Sequence, residues 1–220
     1  MTDTDDSDWD VLAANKLTDA MHNNNPEFIG FAEGWLKTSS DEVLRSICLD
    51  YLESLNRLTE ETLILALKDS HDLVRTKAIN LVASVESERI VHQLKLMLPD
   101  EEDEFVAAWA YIELSIRDRV PSGIEKVFRK KWLSSELVRA GIAFRNALFQ
   151  RKENEIRGFL NFIKSQDYLV RGLVIDLSVF FTSSSFSYLV IHALNEVGHS
   201  DPLLVLQENA KKALENFSSI

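Results

Sequence analysis

The chain has 220 residues, 45% hydrophobic and 27% charged, a balance that supports a sizeable buried core and excludes disordered, collagenous and membrane-spanning classes. Seven Gly and four Pro are too few to punctuate an all-β protein and leave room for many long helices. The net charge of −11 is uneven: residues 1–104 carry 23 Asp and Glu against 9 Lys and Arg, net −14, whereas residues 105–220 carry 12 against 15, net +3. An acidic half repels phosphate backbones and steers basic proteins toward itself.

In chain order, residues 1–7 read as a disordered acidic tail. They offer no positive charge before an apolar run, so a secretory leader is not expected and the chain is placed in the cytoplasm. Residues 8–22 read as an N-terminal cap helix, and 8–220 as a single helical-repeat domain. Its period shows in five blocks: Ser40-Asp41-Glu42-Val43-Leu44-Arg45, Ser70-His71-Asp72-Leu73-Val74-Arg75, Glu102-Asp103-Glu104-Phe105-Val106-Ala107, Ser134-Ser135-Glu136-Leu137-Val138-Arg139 and Gln166-Asp167-Tyr168-Leu169-Val170-Arg171. Their last residues lie 30, 32, 32 and 32 positions apart. Each block reads as a helix start: an acidic or hydroxyl first turn that caps free N–H groups, then an apolar pair that enters the core.

The segments between blocks are helical as well. Leu63, Ile64 and Leu67, or Ile156, Phe159, Leu160 and Ile163, follow three-and-four spacing. One unit is therefore a helical hairpin too small to bury its own apolar face, so neighbours must stack. Hairpins are expected near 26–55, 59–84, 87–117, 122–150, 154–182 and 184–217, giving about eleven to thirteen helices and no sheet. The Arg that closes four of the five blocks is expected to pair with an acidic residue at the equivalent turn of the next unit, forming a ladder along the stack.

The run Asp72-Leu73-Val74-Arg75-Thr76-Lys77-Ala78 resembles the second helix of HEAT-type (armadillo/HEAT) repeats, and the likeness covers roughly residues 26–182. The resemblance implies an all-α, right-handed α-solenoid of about six hairpins, with second helices lining an inner groove. On those helices the positions one face removed from the apolar stripe give the candidate partner-binding residues: Glu42, Asp50, Asp72, Asn80, Glu104, Ile112, Glu136, Phe144 and Asp176. The run Asp100-Glu101-Glu102-Asp103-Glu104 places five like charges at a turn, a repulsion that a basic partner would relieve.

Enzyme signatures are missing. The chain has no Gly-rich phosphate loop, no Gly-x-Ser-x-Gly elbow and no His-Glu-x-x-His helix, so catalytic residues and cofactors are assigned as none. His192, Glu196 and His199 share helical spacing, but Gly198 is expected to end that helix before His199, and no metal site is assigned. Cys48, beside Ile47 and Leu52 on an apolar face, reads as a buried inert thiol, and Trp9, Trp35, Trp109 and Trp132 as core or packing residues. Some HEAT-like proteins are DNA glycosylases with a basic groove. The acidic balance disfavours that class, and the basic cluster Lys126, Arg129, Lys130 and Lys131 falls on a first helix.

The expected function is non-catalytic protein binding. In size, acidity and degenerate repeat the chain is similar in style to bacterial immunity proteins, which implies occlusion of a basic cognate toxin, such as a nuclease. A scaffold or adaptor role is the alternative. Membranes, nucleic acid and small molecules are not expected partners.

Overall fold

The computed structural model describes the backbone of residues 6–218, and the chain divides into two compact units, 1–114 and 115–220. The first helix starts at Asp6, inside the expected acidic tail, and residues 1–5 lie outside the described residues. All regular structure among the described residues is helical, as the repeat requires. No helix among them is long and apolar enough to cross a membrane.

The first unit holds α1 (Asp6–His22), α2 (Ile29–Thr38), α3 (Glu42–Ser54), α4 (Glu60–Ala66), α5 (Asp72–Leu81) and α6 (Glu88–Met97). It also takes in most of α7 (Glu104–Ile116), which crosses the division. α1 and α2 pack on α3, α3 packs on α5, and α4 packs on α2, α5 and α6. The helices therefore form two layers, one of first helices and one of second helices. Asp41, Thr59 and Ser87 cap α3, α4 and α6 by accepting backbone N–H bonds from their first turns.

The second unit holds α8 (Ile124–Lys131), α9 (Glu136–Gln150), α10 (Glu153–Leu160), α11 (Tyr168–Leu177), α12 (Ser187–Ser200) and α13 (Leu204–Ser218). α11 packs between α9 and α13, and α12 packs on α10 and α13, which gives the same two layers. Phe144 sits fully buried at its centre, with the rings of Phe159, Phe180 and Phe181 at 5.6, 5.6 and 6.1 Å.

Two local expectations are corrected here. Gly198 does not end α12, which runs on to Ser200. Gly198 is buried against α13, where a Cβ would lie 3.5 Å from Lys211 Cγ, so its missing side chain serves close helix approach. Trp9 is not a core residue: 66% of it is exposed, whereas Trp35, Trp109 and Trp132 are half-buried.

Candidate partner-binding surface

The recurring Arg lies on the second helices beside the candidate residues, and its bonds decide which carboxylates remain available. In the first unit Arg45 makes a two-point contact with Asp69, with Nε and Nη2 each 2.8 Å from a carboxylate oxygen. Arg75 grips Glu101 in the same way at 2.9 and 2.7 Å. In the second unit Arg171 grips Asp201 at 2.7 and 3.1 Å. The remaining Nη1 turns back to the carbonyl of Ser39, Asp69 or Ser165 respectively, at 2.8, 3.0 and 2.9 Å.

Every acceptor lies three residues before the first residue of a second helix, a register position filled along the chain by Ser39, Asp69, Glu101, Leu133, Ser165 and Asp201, the first five of them directly before a block. Its side chain also accepts the backbone N–H two residues on, in Asp41, His71, Asp103, Asp167 and Leu203. Each Arg thus ties the loop carbonyl of its own repeat to the loop side chain of the next, and those bidentate charged bonds are the strong kind.

Departures from the register are matched in pairs. Where Ala107 replaces Arg, the corresponding acceptor position holds Leu133. Where Ser165 replaces the acid, Arg139 is exposed and reaches only Ser135 O at 3.4 Å, while Ser165 Oγ donates to Glu136 at 2.8 Å. Gln207 stands in the Arg position of α13; its Nε2 satisfies Asp201 O at 2.7 Å, as Nη1 does elsewhere.

Burial of Asp69 and Asp201 opposes their ionisation. The paired Arg and the backbone N–H bonds outweigh it, holding both carboxyls below the usual aspartate range. For Cys48 nothing offsets burial, and the thiol is pushed up to about 12.

The ladder and the start of α7 absorb two of the five acids in the run at 100–104. Glu101 is buried on Arg75, and Asp103 accepts the Val106 N–H at 2.8 Å as the cap of α7. Asp100, Glu102 and Glu104 stay exposed.

Among the predicted contact residues, Glu42 and Asp72 come together: His71 lies between them, 3.6 Å from Glu42 and 3.1 Å from Asp72. Asp72, Asn80 and Glu104 are exposed. Asp50 is tied to Lys77 by an ion pair, and half-buried Glu136 accepts the Ser165 hydroxyl. Asp176 lines a cavity of about 350 Å³ with Ile175, Val179, Asn209 and Lys212, where desolvation raises its carboxyl above the usual range.

Ile112 and Phe144 are not surface residues. Both are fully buried, as are Ala108 and Ala140 a turn earlier. α7 is apolar on nearly all sides, and a helix of that kind is enclosed rather than left with an open face; α9 keeps a polar side at Glu136, Arg139 and Asn146, while its Phe144 is taken up by the aromatic cluster of the second unit.

The apolar pair of each block is a further correction. Its second member enters the core in every block: Leu44, Val74, Val106, Val138 and Val170 are at most 1% exposed. Of the first members, Leu137 is buried and Phe105 half-buried, but Val43, Leu73 and Leu169 are 49, 40 and 38% exposed. Successive helical residues project about 100° apart, so a single packed face does not readily take both.

On α8, Arg129 is bridged to Glu125 at 2.6 Å and Lys131 lies 5.5 Å above the Trp132 ring, while Lys126 and Lys130 are exposed. No group of three or more His, Cys, Asp or Glu side chains among the described residues could hold a metal ion. No family model matches the chain, and no curated protein matches it. Among solved structures it is similar to a designed armadillo repeat protein, at 15% identity and a TM-score of 0.36 over 84% of this chain and 98% of that one.

Proposed function

We propose that the chain is a non-catalytic protein-binding helical repeat whose first unit receives a basic protein. The observation that carries this reading is charge. With Glu113 added to the acidic half, residues 1–114 hold 24 Asp and Glu against 9 Lys and Arg, net −15, and 115–220 hold 11 against 15, net +4. Four of the nine cations are already engaged internally, since Arg45, Arg75, Lys77 and Arg89 sit on Asp69, Glu101, Asp50 and the pair Glu60 and Glu61. A cationic partner relieves the remaining surplus and gains association rate from it.

The specific form we favour is an immunity or antitoxin-type inhibitor. Carboxylates would cover the surface that a basic toxin, such as a nuclease, uses for phosphate, and inhibition would be occlusion. The same surface would also serve a scaffold, and protection of cells from a co-encoded toxin separates the two. In vitro, Asp72→Asn with Glu104→Gln should slow association with the partner, and the wild-type rate should fall as salt shortens the Debye length from about 30 to 8 Å. Lys126→Glu with Lys130→Glu should leave both unchanged. Tight, salt-sensitive binding of duplex DNA, abolished by the substitutions on α8 and indifferent to those at Asp72 and Glu104, would overturn the reading.

A further inference from the structure

We propose that the first turns of α3 and α5 form a docking edge for a cationic amphipathic segment of a partner protein. Val43 and Leu73 take its apolar side chains, and Glu42 and Asp72 take its Lys or Arg. The inference rests on the first unit binding a basic protein, and it narrows that reading to one edge and one kind of segment.

The edge is continuous. α3 and α5 pack directly on one another, and Glu42 at the start of α3 lies 3.6 Å from His71 at the start of α5. Val43 and Leu73 follow the two carboxylates in sequence, each next to a buried neighbour, Leu44 or Val74, that already supplies the core contact. The core contact of each helix start thus comes from the neighbour, and β-branched Val43 gains nothing in helix propensity.

Charge selects the occupant. An aliphatic pair alone would accept any apolar surface, but Glu42 and Asp72 beside it disfavour an acidic segment and an anionic lipid surface alike. An incoming Lys or Arg competes with His71 for the same two carboxylates. Among the described residues the second unit does not expose this pairing of acid and aliphatic group: α9 begins with half-buried Glu136 and buried Leu137, and at the same register α11 and α13 begin with exposed Tyr168-Leu169 and Leu204-Val205. The cation-binding half of the edge belongs to the first unit.

Spacing sets the segment's pattern. Packed helices lie about 8–10 Å apart, so the two apolar groups of the ligand must be separated by a similar distance. On a helix at 1.5 Å per residue that is about five to seven residues, and the seven-residue step, close to two turns, keeps both apolar groups on one face with a basic residue beside each.

The test uses the full chain and two synthetic lysine-rich helical peptides, one with leucine at every seventh position and one with serine there. The leucine peptide should bind about tenfold more tightly than the serine peptide. Val43→Ser with Leu73→Ser should erase that preference while the circular dichroism and Tm stay at wild-type values. Glu42→Gln with Asp72→Asn should weaken both peptides. Should the double serine variant lose structure, Val43→Thr alone, nearly isosteric at an exposed position, should still lower the preference by a few fold. A wild-type protein that binds both peptides equally, or serine and threonine variants that keep the preference while folded, overturns the docking edge and leaves the basic-partner reading standing. Binding of neither peptide removes both.

Discussion

Arg171→Ala breaks the best-enclosed rung of the ladder. The Arg171 and Asp201 side chains are 9 and 3% exposed, and the guanidinium also supplies the Ser165 and Gln166 carbonyls at 2.9 and 3.2 Å. Its removal leaves a buried carboxylate without its cation and two loop carbonyls without a donor, a class of change that costs about 3–5 kcal/mol. For a chain of this length that corresponds to a fall in Tm of roughly 6–20 °C.

Arg139→Ala at the same register should cost about 0.5 kcal/mol or less, because Arg139 is exposed and its acceptor position holds Ser165. The decisive variant is Arg171→Ala combined with Asp201→Leu, which copies the natural pair Ala107 and Leu133. Removing both charges should recover much of the loss. Urea titrations of the three variants, with hydrogen exchange of the α11 amides to isolate the second unit, give the comparison. Equal effects of Arg171→Ala and Arg139→Ala, or a double variant as unstable as the sum of its parts, would refute the ladder as the source of this stability.

Two further outcomes follow from burial and ionisation. Val74→Asp places a charge at a fully buried site and should unfold or loosen the first unit at a cost of several kcal/mol. Asn80→Asp on an exposed face of the same helix should leave the melting temperature nearly unchanged, and similar behaviour of the two would refute the face assignment. Asp69 and Asp201 have carboxyls lowered in the folded state, so the stability they contribute is present above the unfolded aspartate value of about 3.9 and is lost as pH falls through their folded values. Wild-type urea midpoints should therefore drop in acid. In Arg171→Ala, where Asp201 is buried without its cation, the drop should shrink or reverse, and an unchanged acid slope would count against the pairing.

The repeat was legible because it is enforced by packing. Blocks like Asp72-Leu73-Val74-Arg75 recur where most second helices meet their neighbours, and the Arg ladder is legible in that recurrence. Its acceptors sit outside the blocks, which is why Asp69, Glu101 and Asp201 were not singled out individually. The faces were less legible. Ile112 and Phe144 occupy the helical positions that Asn80 holds on α5, but enclosure depends on what packs around α7 and α9, which periodicity along one helix does not contain. The near-continuous apolar run Phe105–Ile112 was the available signal. In the sequence Gly198 reads as a helix stop for a related reason: glycine's role there is set by the approach of α13, a tertiary fact.

The acids at the helix starts have two physical roles, and this governs how recognition can be separated from folding. Glu42, Asp72, Glu104 and Glu136 each open a second helix, where a carboxylate beside the helix dipole is worth about 0.3–1 kcal/mol whatever the partner. Tyr168 and Leu204 at the same register show that the fold can forgo it. Replacement of Glu42 or Asp72 by Lys would therefore change both helix stability and encounter rate, and a weaker complex would have two explanations. The neutral exchanges Glu42→Gln and Asp72→Asn keep the helix start polar, and the aliphatic exchange at Val43 leaves the dipole untouched. Loss of leucine preference in the latter, with Tm unchanged, can only be assigned to the surface that Val43 presents.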